Sequence, residues 1–83
     1  MKLKVFAIHD VKGQVYANPF YMAHDGQALR AFSDLVGDEK SMVNKHPEDY
    51  KLYGLGDFDD VSGRFDSYDV PKFLANATDF QSK

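Results

Sequence analysis

The chain carries three histidines, His9, His24 and His46, which are the natural starting point for metal or proton chemistry. A helical zinc site needs pairs at H-x-x-x-H or H-E-x-x-H spacing, and no two of these residues stand in that relation. They read as a strand-end, a helix-entry and a loop histidine. No serine has the G-x-S-x-G surroundings of a nucleophile elbow. The densest charge feature is the acid run Asp57, Asp59, Asp60, Asp66 and Asp69. As a calcium loop it fails: counted from Asp57, the fifth position is Val61 and the sixth is Ser62, where glycine is required. Paired carboxylates for glycoside hydrolysis need a deep cleft, which so short a chain does not offer. The acids therefore read as turn formers and as protection of sheet edges. Gly54 and Gly56 alternate in Leu52-Tyr53-Gly54-Leu55-Gly56 and lack the G-x-G-x-x-G spacing and following helix of a phosphate loop. As alternate strand residues they are expected on one face, serving helix approach or a bulge. No enzyme, metal or cofactor is expected.

Binding chemistry is better represented. Lys2, Lys4, Lys12, Lys51 and Arg64 fall on predicted hairpins, interleaved with Phe6, Tyr16 and Tyr53. A sheet that offers aromatic rings to bases and cations to phosphates is how single strands are held. Lys2, Lys4, Lys12, Tyr16, Lys51, Tyr53 and Arg64 form the candidate nucleic-acid set. The competing reading is that strand aromatics are core and the lysines merely solvated. Lys+Arg total 10 against 13 Asp+Glu, a net charge of -3, and the sequence pI is near 5.4. That excludes a polybasic binder driven by many phosphate contacts. The acidic second half would have to face away from any nucleic acid.

These residues need elements to position them. Residues 2–9 predict a strand with apolar groups on both faces. Asp10-Val11-Lys12-Gly13 suits a three-residue hairpin closed by a left-handed glycine, with 14–18 returning. Asp60-Val61-Ser62-Gly63 repeats that chemistry between strands at 50–58 and 64–68. Ala28, Leu29, Phe32, Leu35 and Val36 make one helical stripe, with Asp25 as N-cap and Gly37 as stop. Residues 38–49 read as a loop with a turn from Pro47. In 70–80, Pro71 opens a short helix containing Phe73, Leu74 and Ala77, with an extended run as the alternative. Residues 81–83 are expected to fray. The architecture is α+β, ββαββ: a four-stranded, mainly antiparallel sheet, one helix on one face, and a C-terminal segment.

Eighty-three residues fit one small domain. There is no cysteine, so disulfides, thiol catalysis and iron–sulfur clusters are excluded and a reducing compartment is expected. No apolar run approaches the ~20 residues of a membrane span. One helix cannot cover both sheet faces. Phe6, Ile8, Tyr16, Tyr53 and Leu55 are expected to form a second apolar surface, covered by the tail or by a second copy in a homodimer or higher oligomer.

The opening Met1-Lys2-Leu3-Lys4-Val5-Phe6-Ala7-Ile8, the helix segment Ala28-Leu29-Arg30-Ala31-Phe32, and Lys45-His46-Pro47-Glu48-Asp49-Tyr50-Lys51-Leu52-Tyr53 resemble the non-structural protein of gokushoviruses. Gly56-Asp57-Phe58-Asp59-Asp60 followed by Ser62-Gly63 extends the resemblance over nearly the whole chain. Gokushoviruses are small single-stranded DNA phages of the Microviridae. The resemblance implies a DNA-binding protein of the host bacterial cytoplasm, absent from the virion. It also implies a role like that of the C protein of phiX-like phages, favouring single-strand synthesis and packaging over duplex replication. It supplies no catalytic residues. The alternative is a protein-interaction module acting on a phage or host replication or assembly factor.

Overall fold

A computed structural model describes residues 1–81. Strand β1 (Lys2–Asp10) is central, and its β-prone run pairs on both sides. On one side lies a broken edge: β2 (Val15–Tyr16) pairs with the end of β1, and β3 (Phe20–Met22) with its middle. Pro19 sits in the break, where a missing amide would interrupt a continuous ladder. On the other side lie β4 (Tyr50–Asp59) and then β5 (Arg64–Asn76), so the order across the sheet is β2-β1-β4-β5 and every pairing is antiparallel. The returning strand expected at 14–18 is thus only Val15–Tyr16, Phe20–Met22 forms a further, unexpected strand, and the α+β class with one main helix stands without the simple ββαββ order.

Helix α1 spans Asp25–Gly37 and buries Ala28, Phe32 and Val36, the expected stripe, against Phe6, Leu52 and Ala75. Its N-cap is His24, one residue before the expected Asp25. Gln27 Oε1 accepts from the Ala23 and His24 amides at 3.0 and 3.2 Å, satisfying the entry to the helix. Asp25 sits in the first turn, where its charge suits the helix dipole.

Residues 38–49 are not a plain loop. A single-turn α2 (Met42–Lys45) and a 3-10 turn (Pro47–Asp49) occupy them, the latter at the expected Pro47. The reason is local. Ser41 caps α2 through the Asn44 amide at 3.0 Å, and its hydroxyl donates to the Leu35 carbonyl at 2.5 Å. Asn44 Nδ2 donates to the Val36 carbonyl at 2.6 Å. Two carbonyls at the end of α1 are satisfied by side chains that also fix the next turn.

The tail departs most from expectation. Residues 70–76 continue β5, and the helix expected from Pro71 is absent. Phe73, Leu74 and Ala77 do have helical spacing, but pairing of Phe73 with Tyr53 and of Ala75 with Leu52 wins over it. A 3-10 turn (Ala77–Phe80) follows and packs on the helix side, with the Phe80 ring edge-on to Phe32 at 6.0 Å. The expected fraying of 81–83 falls mostly on residues 82 and 83, outside those described.

The β4–β5 hairpin runs beyond the helix. The molecule measures 43 × 23 × 18 Å with a radius of gyration of 13.0 Å, against about 12 Å for a compact chain of this length. At the hairpin tip Gly63 takes the expected left-handed conformation (φ 73), and its amide donates to the Asp59 carbonyl at 2.7 Å. The first turn differs: Gln14 carries the positive φ (56), not Gly13. Gly13 is instead held by its amide on Asp10 Oδ1 at 3.0 Å, and a Cβ there would stand 2.9 Å from Asp10 Oδ2.

Asp59 links this turn to pH. Its carboxylate accepts from the Val61 amide at 2.9 Å, which holds the group below its ordinary value; burial opposes the shift, and Ser62 adds to it. A depressed folded-state pKa stabilises above the ordinary carboxylate range, and that contribution is lost as pH falls through it. Asp59→Ala should therefore melt below wild type at neutral pH, and the gap should narrow in acid, as pH falls below the ordinary carboxylate range. Circular dichroism melts at neutral and acid pH measure it, and an equal gap in acid would refute the assignment.

Candidate functional site

Strand alternation and register sort the side chains into two faces. Phe6, Ile8, Phe20, Met22, Leu52 and Ala75 face α1. Phe6 and Ile8 therefore do not belong to the second apolar surface, where sequence placed them. Phe6 is 1% exposed, and its ring stacks on Phe20 at 5.7 Å. With apolar groups on both faces of β1, the sequence left its orientation open; the helix contact decides it.

The opposite, open face holds two aromatic groups. At one end His9, Tyr16, Tyr53 and Phe73 meet. Ring centroids are 4.4 Å apart for His9–Tyr16, 5.8 Å for Tyr16–Tyr53 and 5.8 Å for Tyr53–Phe73. Lys51 Nζ lies 5.9 Å from the Phe73 ring centroid, within cation–π reach. At the other end Tyr21, Phe58 and Phe65 meet, with Phe58–Phe65 at 4.9 Å and Tyr21–Phe58 at 5.7 Å. Between the two groups lie buried Val5 and Ala7 and the half-buried Leu55. Among the described residues the tail does not cover this face, because its last turn packs against α1. Phe73 is 50% and Phe65 60% exposed.

Of the candidate nucleic-acid residues, Tyr16, Lys51 and Tyr53 come together here. The others do not. Lys4 faces the helix side, with its Nζ 3.6 Å from Asp25 Oδ1, an acid that it shares with Lys72 at 3.7 Å. Lys2 and Arg64 both pair with Asp59 at the far end of the sheet, in helix-side register. Lys12 lies in the first turn, near the Tyr16 end. Of the candidate oligomer residues, Tyr16 and Tyr53 are on the open face, and Leu55 lines a shallow depression there with Val5 and Phe65. Sequence reasoning missed His9 and Phe73, and the whole Tyr21–Phe58–Phe65 group. Period-2 alternation carried out from Tyr53 would have found Phe73 only with the pairing known, since the β4–β5 ladder shifts register beside it.

Charge divides between the faces. Lys4 opposes Asp57, Lys2 opposes Asp59, and Asp57 opposes Asp66, so all three acids share the helix-side register. Among the described, strand-paired positions of the open face there is no carboxylate, and Lys51 is the one lysine or arginine. The net charge of -3 thus does not describe this surface. Elsewhere, His46, Glu48 and Asp49 bring ligand atoms within 4.8 Å of one another at the surface of the 3-10 turn. Nothing further in their surroundings marks a metal centre.

Comparison with known proteins gives the setting. No solved structure matches the chain. Protein ORF5 of Chlamydia phage 1, a gokushovirus of the Microviridae, is 32% identical over 69 residues, covering 78% of this chain and 72% of that protein. The model of the Phage ORF5 protein family matches residues 3–80, from the first strand through the final turn. The match takes in both sheet faces and the helix, and the chain belongs to the Phage ORF5 protein family.

Proposed function

We propose that this phage protein is a non-catalytic accessory of DNA replication or packaging that holds single-stranded DNA on its open sheet face. The observation that carries the reading is the combination of exposed rings with the absence of carboxylates at the described paired positions of their face. Bases stack on such rings whatever their sequence, and each stacked base contributes about 1–3 kcal/mol. Lys51, beside Phe73, supplies a cation for the backbone. The site of action proposed is the host bacterial cytoplasm, outside the mature virion.

Anisotropy of a labelled single strand tests this between about 50 and 200 mM salt. Wild-type protein should bind at micromolar concentration and weaken as salt rises. Tyr53→Ala should cost about tenfold in affinity or more. Lys51→Ala should weaken binding and lower the salt slope by about one. Absence of binding at low salt would refute the proposal.

A second reading has its own observation. Both sheet edges are interrupted, by Pro19 between β2 and β3 and by residues 68–71, which include Pro71 and lie between the paired Ser67 and Lys72. Blunted edges disfavour edge-to-edge association. Self-association into a homodimer or higher oligomer, or docking of a phage or host replication protein, would then use the open face. Competition between oligonucleotide binding and self-association in light scattering separates this reading from the first.

A further inference from the structure

We propose that the two aromatic groups are separate base-stacking subsites spanned by one single strand, with the phosphate-binding cation confined to the first; this rests on the single-strand reading above. The first subsite is His9, Tyr16, Tyr53 and Phe73, and the second is Tyr21, Phe58 and Phe65. Register gives their separation. Tyr53 is opposite Ala7 on β1 and Phe58 is opposite Leu3. Four residues of strand correspond to roughly 13 Å at ~3.3 Å each. A base stacked at one end cannot touch the other, so a strand reaching both must bridge the floor of Val5, Leu55 and Gly56. That floor is a shallow, mainly apolar depression of about 190 Å³, lined also by Pro19, Asp57, Phe65 and Ser67.

The occupant is argued from charge and exposure together. A polyanion is repelled by carboxylates and held by a cation, and this face has no carboxylate at its described paired positions and Lys51 beside an exposed ring. At the paired positions along the second subsite Asp57, Asp59 and Asp66 are in helix-side register, Asp57 meeting the open face only where it lines the depression. On the open face no lysine or arginine stands at the described paired positions beside Phe58 and Phe65; Lys2 and Arg64, next along the strands, are in helix-side register. The second subsite therefore binds bases by stacking, with no new phosphate contact.

This yields a signature that ordinary electrostatic binding does not share. Oligothymidylates of about 3 and about 12 residues bracket the length of one and of two subsites. The longer should bind at least tenfold tighter to wild type, with the same salt slope as the shorter. Phe65→Ala should abolish that gain, leave the short strand's affinity unchanged and leave both slopes unchanged. Phe65 is already 60% exposed, so truncation should leave the fold intact, which far-UV circular dichroism checks. Phe65→Tyr, which keeps the ring, should retain the gain. If Phe65→Ala binds the long strand as wild type does, or if the gain comes with a steeper slope, the two-subsite arrangement is overturned. If wild type binds neither strand, the single-strand reading itself fails. If Phe65→Ala turns an oligomer into a monomer without DNA, the second group belongs to an interface between copies, and the proposal is again overturned.

Discussion

Phe32→Ala should destabilise the protein by about 3–5 kcal/mol and leave much of it unfolded at 37 °C. Phe32 is fully buried in the centre of the α1 stripe. Ala28 and Val36 flank it along the helix, Phe6 and Leu52 belong to the same buried cluster of the sheet, and Phe80 meets its ring edge-on at 6.0 Å. Truncation removes the transfer free energy of the ring and leaves a cavity whose walls are a helix and a sheet, neither able to collapse freely. The edge-on partner is lost as well, at about 0.5–1.5 kcal/mol. A chain of this length holds roughly 4–12 kcal/mol in total, so a loss of this size consumes much of it. Urea denaturation measures the effect. Phe32→Leu, which keeps most of the volume, should cost about 1 kcal/mol. Equal effects from the two substitutions would mean that the site is not tightly packed.

That core was legible in the sequence because its signal is local. Ala28, Leu29, Phe32, Leu35 and Val36 repeat at helical spacing, and nothing long-range competes for them. Both hairpin turns were legible for the same reason, each as an Asp-Val-x-Gly segment, although in the first the left-handed residue is Gln14 and not the expected Gly13. The features that were hidden all depend on pairing. β1 has apolar residues on both sides, so only contact with α1 assigns Phe6 and Ile8 to the core and His9 to the open face. Phe73 and Leu74 have a spacing that suits a helix and a strand equally, and the ladder with β4 decides between them. The aromatic group around Phe58 was missed because Tyr21, Phe58 and Phe65 come from three strands.

The bulge in β4 explains the remaining misreading, and with it how an acidic protein has a sheet face with no carboxylate at its described paired positions. Strict alternation puts Gly54 and Gly56 on one face, and Asp57 opposite them. In the structure Val5 pairs with Gly56 and the next residue, Phe6, pairs with Gly54, leaving Leu55 as the extra residue. Beyond that point every side chain of β4 changes face relative to simple counting. Phe58 therefore shares the open face with Tyr53, although five positions separate them, and Asp57 and Asp59 turn away. Without the bulge the aspartates would stand beside Tyr53.

Gly56→Ala should accordingly be among the most damaging substitutions, at about 3 kcal/mol or more, and its consequences should extend to binding. Two effects act together. Gly56 has φ +154, a conformation that L side chains rarely adopt. A Cβ would also collide with the Asp66 carbonyl oxygen and come within 2.8 Å of Ser67 Cα. These are backbone atoms of β5, which cannot swing aside as a side chain can. Relief requires β4 and β5 to separate where the register shifts, which loosens the strand segment that sets the positions of Phe58 and Phe65. Gly54→Ala is the internal control: its φ is not positive, and its nearest neighbour would be the Tyr68 ring at 3.6 Å, an ordinary contact. Chemical denaturation should show a large loss for Gly56→Ala and a loss of about 1 kcal/mol or less for Gly54→Ala. Hydrogen exchange should place the added opening of Gly56→Ala in β5 at residues 64–67, ahead of the α1 core. Equal losses from the two substitutions, or exchange raised first in α1, would show that the bulge does not hold the hairpin in register.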